Sequence, residues 1–123
     1  MAESKNKPSW CALIPLRKLV ALPGTSIVLD IGRELSKTAV NKAEEDDGRV
    51  LLFTQIRADD EQPTMDDLYP VGVFGRVIKV EENPSIRGYK ITVEVESRVQ
   101  LTQLDTELDY MRGQYYVLVD AGA

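Results

Sequence analysis

Histidine is absent from all 123 residues. That removes Ser-His-Asp and Cys-His nucleophilic arrangements, His-ligated metals and the usual general base near neutral pH. The single Cys11 permits neither an internal disulfide nor a cysteine-based zinc cluster, and its solitude suits a reducing compartment. Carboxylates are plentiful, and they gather in Glu44-Glu45-Asp46-Asp47 and in ADDEQPTMDD at 58–67. The first run is expected to be a solvated helix end or loop. The second would hold a metal only if folding made its carboxylates converge. No G-x-x-x-x-G-K-[ST] phosphate cradle and no nucleophile elbow occurs. Gly72 and Gly75 lack the helix-opening context of a dinucleotide fingerprint. Neither catalysis nor a cofactor is expected of this segment.

Composition narrows the class further. The length fits one domain with a modest core, and 43% hydrophobic with 28% charged residues is ordinary for a globular chain. Residues 1–11 read as a flexible leader, since MAESKNKPS is polar and lacks the apolar core of a signal peptide. A net charge of −5 argues against nucleic acid, whose phosphates call for a concentrated cationic face. The local exception is residues 1–18, where Lys5, Lys7, Arg17 and Lys18 face only Glu3.

The elements that must position any site are strands. In YKITVEVESRVQL (89–101) the odd positions Tyr89, Ile91, Val93, Val95, Val99 and Leu101 are apolar and the even ones polar, with Ser97 breaking the series. Such alternation predicts an antiparallel strand with one wet face. Thirteen residues at about 3.3 Å each would reach ~43 Å, so the strand must bend to serve two sheets or wrap a small barrel. Ser97 is the expected bulge. SIVLDIG (26–32) alternates, RVLLFTQI (49–56) reads as a central strand, and VGVFGRVIKV (71–80) as one bent at its glycines. ENPSIRG (82–88) is a hairpin connection and YYVLVD (115–120) a last strand. Leu35, Ala39, Val40 and Ala43 predict one amphipathic helix over 33–45, stopped by Gly48. In PLRKLVALPG (15–24), prolines bracket a run too short to span a membrane. It predicts a short strand, with Leu13, Leu16 and Leu19 buried, and a type II turn at Pro23-Gly24.

Three blocks carry a resemblance. IPLRKLVALPGTSIVLDIGRELS (14–36), PTMDDLYPVG (63–72) and GYKITVEVESRVQL (88–101) resemble, in order and spacing, the N-terminal domain of Lon proteases. Pro15, Leu16, Arg17, Pro23, Gly24, Leu29, Gly32, Arg33 and Ser36 stand at matching places. Departures are Leu22 for a common aromatic, Val28 for a common Pro and Val95 for a usual Gly. The resemblance implies a mainly β fold with one α-helix, a PUA-like bent-sheet pseudo-barrel over 12–120, with 121–123 near a truncation before a helical lobe. It implies a cytosolic, hexameric ATP-dependent serine protease as parent, whose ATP and Mg belong to modules outside these residues.

The function so implied is non-catalytic recognition of unfolded or damaged proteins through apolar loops. Leu22 and Pro23 at the turn, Met65 and Tyr69 in the acidic loop, Ile86 at the hairpin tip, and Tyr110 and Met111 before the last strand are the expected contacts. Pro15, Arg17, Gly24, Gly32 and Arg33 are expected to be structural, Arg17 pairing with a carboxylate or lying on the wet face, and Arg33 serving the helix start. The alternatives are a hexamer-organising domain, or a free-standing PUA-like barrel that binds RNA or a small ligand.

Overall fold

The long alternating segment becomes one uninterrupted strand, and the rest of the molecule is arranged around its bend. The computed structural model describes residues 10–18 and 22–119. The elements are β1 (Cys11–Leu16), β2 (Ser26–Ile31), α1 (Glu34–Glu45), β3 (Arg49–Thr54), β4 (Val71–Asn83), β5 (Gly88–Asp105) and β6 (Met111–Val117). They form one six-stranded sheet in the order β2-β5-β4-β3-β1-β6, and it curls until β6 also pairs with β5. All pairings are antiparallel except β1 with β3, which is parallel and is bridged by β2 and α1. The result is a bent sheet closed on itself, as the sequence predicted.

Curling lets one strand feed two cores. Ile91, Val93 and Val95 enter the first core, whereas Val99 and Leu101 on the same odd side enter the second. The change of core coincides with a register shift: Phe74 pairs with Ser97 but Gly75 pairs with Val95, so Glu96 is bulged out. The expected bulge at Ser97 is thus one residue away. Gly75, paired with Val95 across the shift, lets the two strands approach closely. A Cβ on Gly75 would lie 2.7 Å from the Glu94 carbonyl oxygen, so the bare backbone sits on the partner strand instead.

β1 and β3 are buried on both faces, which is why their sequences are apolar runs rather than alternations. Ile14, Leu16, Val50 and Leu52 point to the first core, and Leu13, Leu51 and Phe53 to the second. α1 closes the first core with Ala39, Val40 and Ala43, all fully buried. Small residues at those places bring the helix axis close to the sheet. Its end is sharp: Gly48, at φ +80°, donates its N–H to the Ala43 carbonyl at 2.7 Å. At the other turn, Thr25 N–H reaches the Leu22 carbonyl at 3.2 Å with Gly24 at φ +88°, the signature of the predicted type II geometry.

Several boundaries move. Cys11 is buried at the start of β1, so residue 11 belongs to the sheet rather than to a leader. The strand therefore ends at Leu16, and Arg17 and Lys18 are exposed beyond it. Leu19 lies outside the described residues. The last strand begins at Met111, four residues earlier than expected, and ends at Val117. Charged Arg112 and small Gly113 concealed it from a search for apolar runs.

Burial pushes the Cys11 thiol up to about 12 from 9.0, helped by the Asp46 carboxylate and opposed by Arg49. The folded chain therefore keeps a proton that the unfolded chain loses above about 9. The stability this contributes is full below pH 9.0 and is lost as pH rises toward 12. Iodoacetamide should label Cys11 only on unfolding. The denaturation midpoint of the parent should fall more steeply than that of Cys11→Ala across this window; equal slopes, or free-thiol labelling rates in the native state, would contradict this assignment.

Candidate functional site

Two residues eighteen apart in sequence meet at the end of β1, and the reason lies in strand geometry. Gln55 N–H donates to the Leu16 carbonyl at 2.7 Å, so Leu16 faces β3 and the Pro15 carbonyl faces the other way. On that side β6 pairs with β1 only from Cys11 to Leu13. Proline has no N–H to leave unsatisfied there, but its carbonyl needs a donor. Arg33 supplies it, donating from Nη2 to Pro15 O at 2.6 Å. Arg33 is also the N-cap residue of α1, in extended conformation, and its carbonyl takes the first helical bond from Lys37 N–H at 2.9 Å. Arg33 thus joins the helix start to the strand through a specific bond.

Around this junction lie further charges. Burial and the neighbouring Arg17 pull the Arg33 pKa down, while Glu61 and Asp60 pull the other way. Its Nη1 is buried with no hydrogen-bond partner. Arg17 donates to the Ala58 carbonyl and stands 3.8 Å from Glu61, so the predicted carboxylate partner is Glu61. That pair is largely exposed and screened by solvent. Gln55, 2% exposed, holds the acidic loop in place through Nε2, which donates to the carbonyls of Arg57 at 2.9 Å and Asp60 at 2.8 Å. Sequence reading took Gln55 as part of a central strand and missed this role. Farther along the loop, Asp67 accepts the Thr64 N–H at 2.8 Å and its hydroxyl at 2.9 Å. Those bonds hold its carboxyl below the ordinary value. The loop's carboxylates thus serve loop geometry, and among the described residues no acidic, His or Cys cluster of metal-binding kind occurs.

Arg33 separates two open hollows. One, of about 600 Å³, lies between the start of α1 and the loops at 61–64 and 106–111, with Leu35, Pro63, Leu108 and Tyr110 among its walls. The other, of about 500 Å³, lies between the end of β1 and β2. Neither contains a nucleophile with a base beside it.

The predicted contact residues separate into groups. Leu22 is 65% exposed and, with exposed Pro23, leads into β2; Ile86, 40% exposed, packs beside Gly32 at the far end of the same strand. Met65 and Tyr69 are exposed on the loop between β3 and β4. Tyr110 is half-buried, its ring 6.0 Å from the Lys42 ammonium, and it lines the first hollow. Met111 is buried in the second core as the first residue of β6, because it pairs with Leu13. Its expected exposure is corrected. So is the conformational role of Gly32, which has no positive φ and has room for a side chain. Val28 and Leu108 are exposed apolar residues outside the expected contacts. Val28 was findable: it is an apolar residue on the wet side of an alternating strand.

The profile of the ATP-dependent protease La (LON) substrate-binding domain matches residues 10–121. The chain belongs to this family. It is 34% identical over 101 residues to Lon protease 1 of Hydrogenovibrio crunogenus, covering 82% of this chain and 12% of that protein. It is 35% identical over 115 residues to Lon protease 1 of Bdellovibrio bacteriovorus, covering 92% and 14%. Its fold superimposes on the N-terminal domain of Mycobacterium avium complex Lon protease with a TM-score of 0.73 at 15% identity, over 94% of this chain and 57% of that one. The chain thus spans about an eighth of the length of these full Lon relatives, and it corresponds to their substrate-binding region.

If Arg33 is the bond that closes the β1 end, Arg33→Met should cost about 1–3 kcal/mol by leaving the Pro15 carbonyl unpaired. Urea denaturation with an unchanged slope would measure it. Arg17→Met, which removes a screened surface pair and an exposed hydrogen bond to the Ala58 carbonyl, should cost less than Arg33→Met, within about 1 kcal/mol.

Proposed function

We propose that this domain is a non-catalytic recognition module that holds unfolded or damaged polypeptide for degradation elsewhere in a Lon-type protease. The observation that carries this reading is the exposure of apolar side chains on loops, at Leu22, Met65, Tyr69 and Ile86. An unfolded chain offers apolar segments and backbone but no fixed epitope, so scattered and adaptable apolar contacts suit it better than one rigid pocket. Binding at each would be weak, and six copies in a hexameric parent would raise the local concentration of substrate by multivalency. The parent would supply ATP, Mg and a Ser-Lys protease in its other modules and would work in the cytosol.

A second reading, support of the parent's assembly, draws on a separate surface. Tyr116, Val117 and Val119 are 54%, 51% and 86% exposed at the end of β6 and beyond it. Such a run suits contact with another protein surface.

Titration of the chain with a reduced, unfolded polypeptide, followed by two-dimensional NMR, tests the first reading. Resonances of Leu22, Met65, Tyr69 and Ile86 should shift. The pair Leu22→Ser and Ile86→Ser should weaken binding about three- to tenfold with stability changed by less than about 0.5 kcal/mol. If no loop resonance moves at millimolar polypeptide, recognition by this surface is wrong.

A further inference from the structure

Among the described residues, β2 pairs with a single strand, β5. Val95 N–H donates to the Thr25 carbonyl at 2.8 Å, and the ladder continues through Ile27↔Val93, Leu29↔Ile91 and Ile31↔Tyr89. The two-residue period then turns the main-chain N–H and C=O groups of Ser26, Val28 and Asp30 away from β5. The second hollow is walled by β2 and by the end of β1. Among the described residues, β1 has no strand partner beyond Leu13 on its side away from β3, where Arg33 meets the Pro15 carbonyl. The hollow therefore lies between two strand ends whose ladders stop short.

An unpaired edge accepts an extended chain through main-chain hydrogen bonds, with little demand on its sequence. The charge beside this edge adds a preference. Arg17, Lys18 and Arg33 line the hollow with one acid, Asp30, which already accepts a hydrogen bond from Asn83 Nδ2 at 3.3 Å, while Glu61 stands outside the lining, 3.8 Å from Arg17. This is a cationic place on a chain of net charge −5. Val28, 61% exposed, gives an added strand an apolar side chain to cover.

We propose that the open edge of β2 binds an extended polypeptide segment by strand addition, favouring segments that carry carboxylates among their apolar residues. The inference rests on the reading that the domain engages unfolded polypeptide, and it specifies how: backbone pairing at Ser26, Val28 and Asp30, with Arg17, Lys18 and Arg33 selecting charge.

Val28→Pro removes the N–H that faces outward and spares the β2–β5 bonds, since edge strands accommodate proline at such a position. Val28→Thr keeps the N–H and removes only apolar surface. The probe is a short fluorescent peptide alternating Val with Asp, measured by anisotropy against the full chain, with dispersed amide spectra confirming that each variant folds. Val28→Pro should weaken binding about tenfold or more, and Val28→Thr less than threefold. A peptide N-methylated at alternate residues should lose binding to the parent chain to the same degree, which keeps the test independent of the variant's folding. The isomer with Lys in place of Asp should bind several-fold more weakly, and added salt should narrow that gap. If the N-methylated peptide binds as well as the unmodified one, strand addition is wrong while recognition of unfolded polypeptide stands. If neither the peptide nor an unfolded polypeptide binds the parent chain, both fall.

Discussion

The structure depends on one constraint: β5 is eighteen residues long and must bury its odd side along most of that length. A flat ribbon of that size would leave one end of the apolar row in water. The strand instead coils, and its bulge at Glu96 hands the row from one core to the other. Every other placement follows from this. β4 must bend with it, which requires bare backbone at Gly75. β6 can close the sheet because the second half of β5 has turned to meet it. β1 and β3, enclosed between the two cores, become apolar on both faces.

A curled sheet of unequal strands leaves places where ladders stop. At the end of β1 the pairing with β6 has run out, and a buried carbonyl needs a donor from elsewhere. The guanidinium at the helix start provides it. That bond ties the helix to the first strand, and the two hollows lie on either side of it. The surface proposed to engage polypeptide is what remains where the hydrogen-bonded shell of the described residues is incomplete: loop tips, a junction and a strand edge. This is a sensible construction for recognising chains without fixed shape, since edges offer backbone pairing and loop tips offer adaptable apolar contact.

Carboxylates are abundant, yet the ones described in detail work locally. Asp67 caps a turn, Asp46 pairs with Arg49, and Glu61 faces Arg17. Cys11 is a buried hydrophobe with its thiol held protonated. Charge here shapes loops and biases a surface in a domain that matches about an eighth of the length of its Lon protease relatives.

The sequence by itself determined what depends on local periodicity. The alternation in 89–101, the helical spacing of Leu35, Ala39, Val40 and Ala43, and the Pro23-Gly24 turn each dictate a conformation through neighbours a few residues away, and each appeared as read. The class of the fold followed from the length of one strand. Only the tertiary structure decided matters set by partners distant in sequence. Met111 and Tyr110 are adjacent, yet Leu13 pairs with the first and buries it. Gly32 looked conformational and is not, because the close approach falls elsewhere. Arg33 finds Pro15 only because β6 stops at Leu13, and Gln55 organises a loop it precedes. Periodicity reports which side of an element is dry. Which strand edge is left open, and which polar group is stranded beside it, depends on how far each neighbouring strand extends, and no local pattern carries that length.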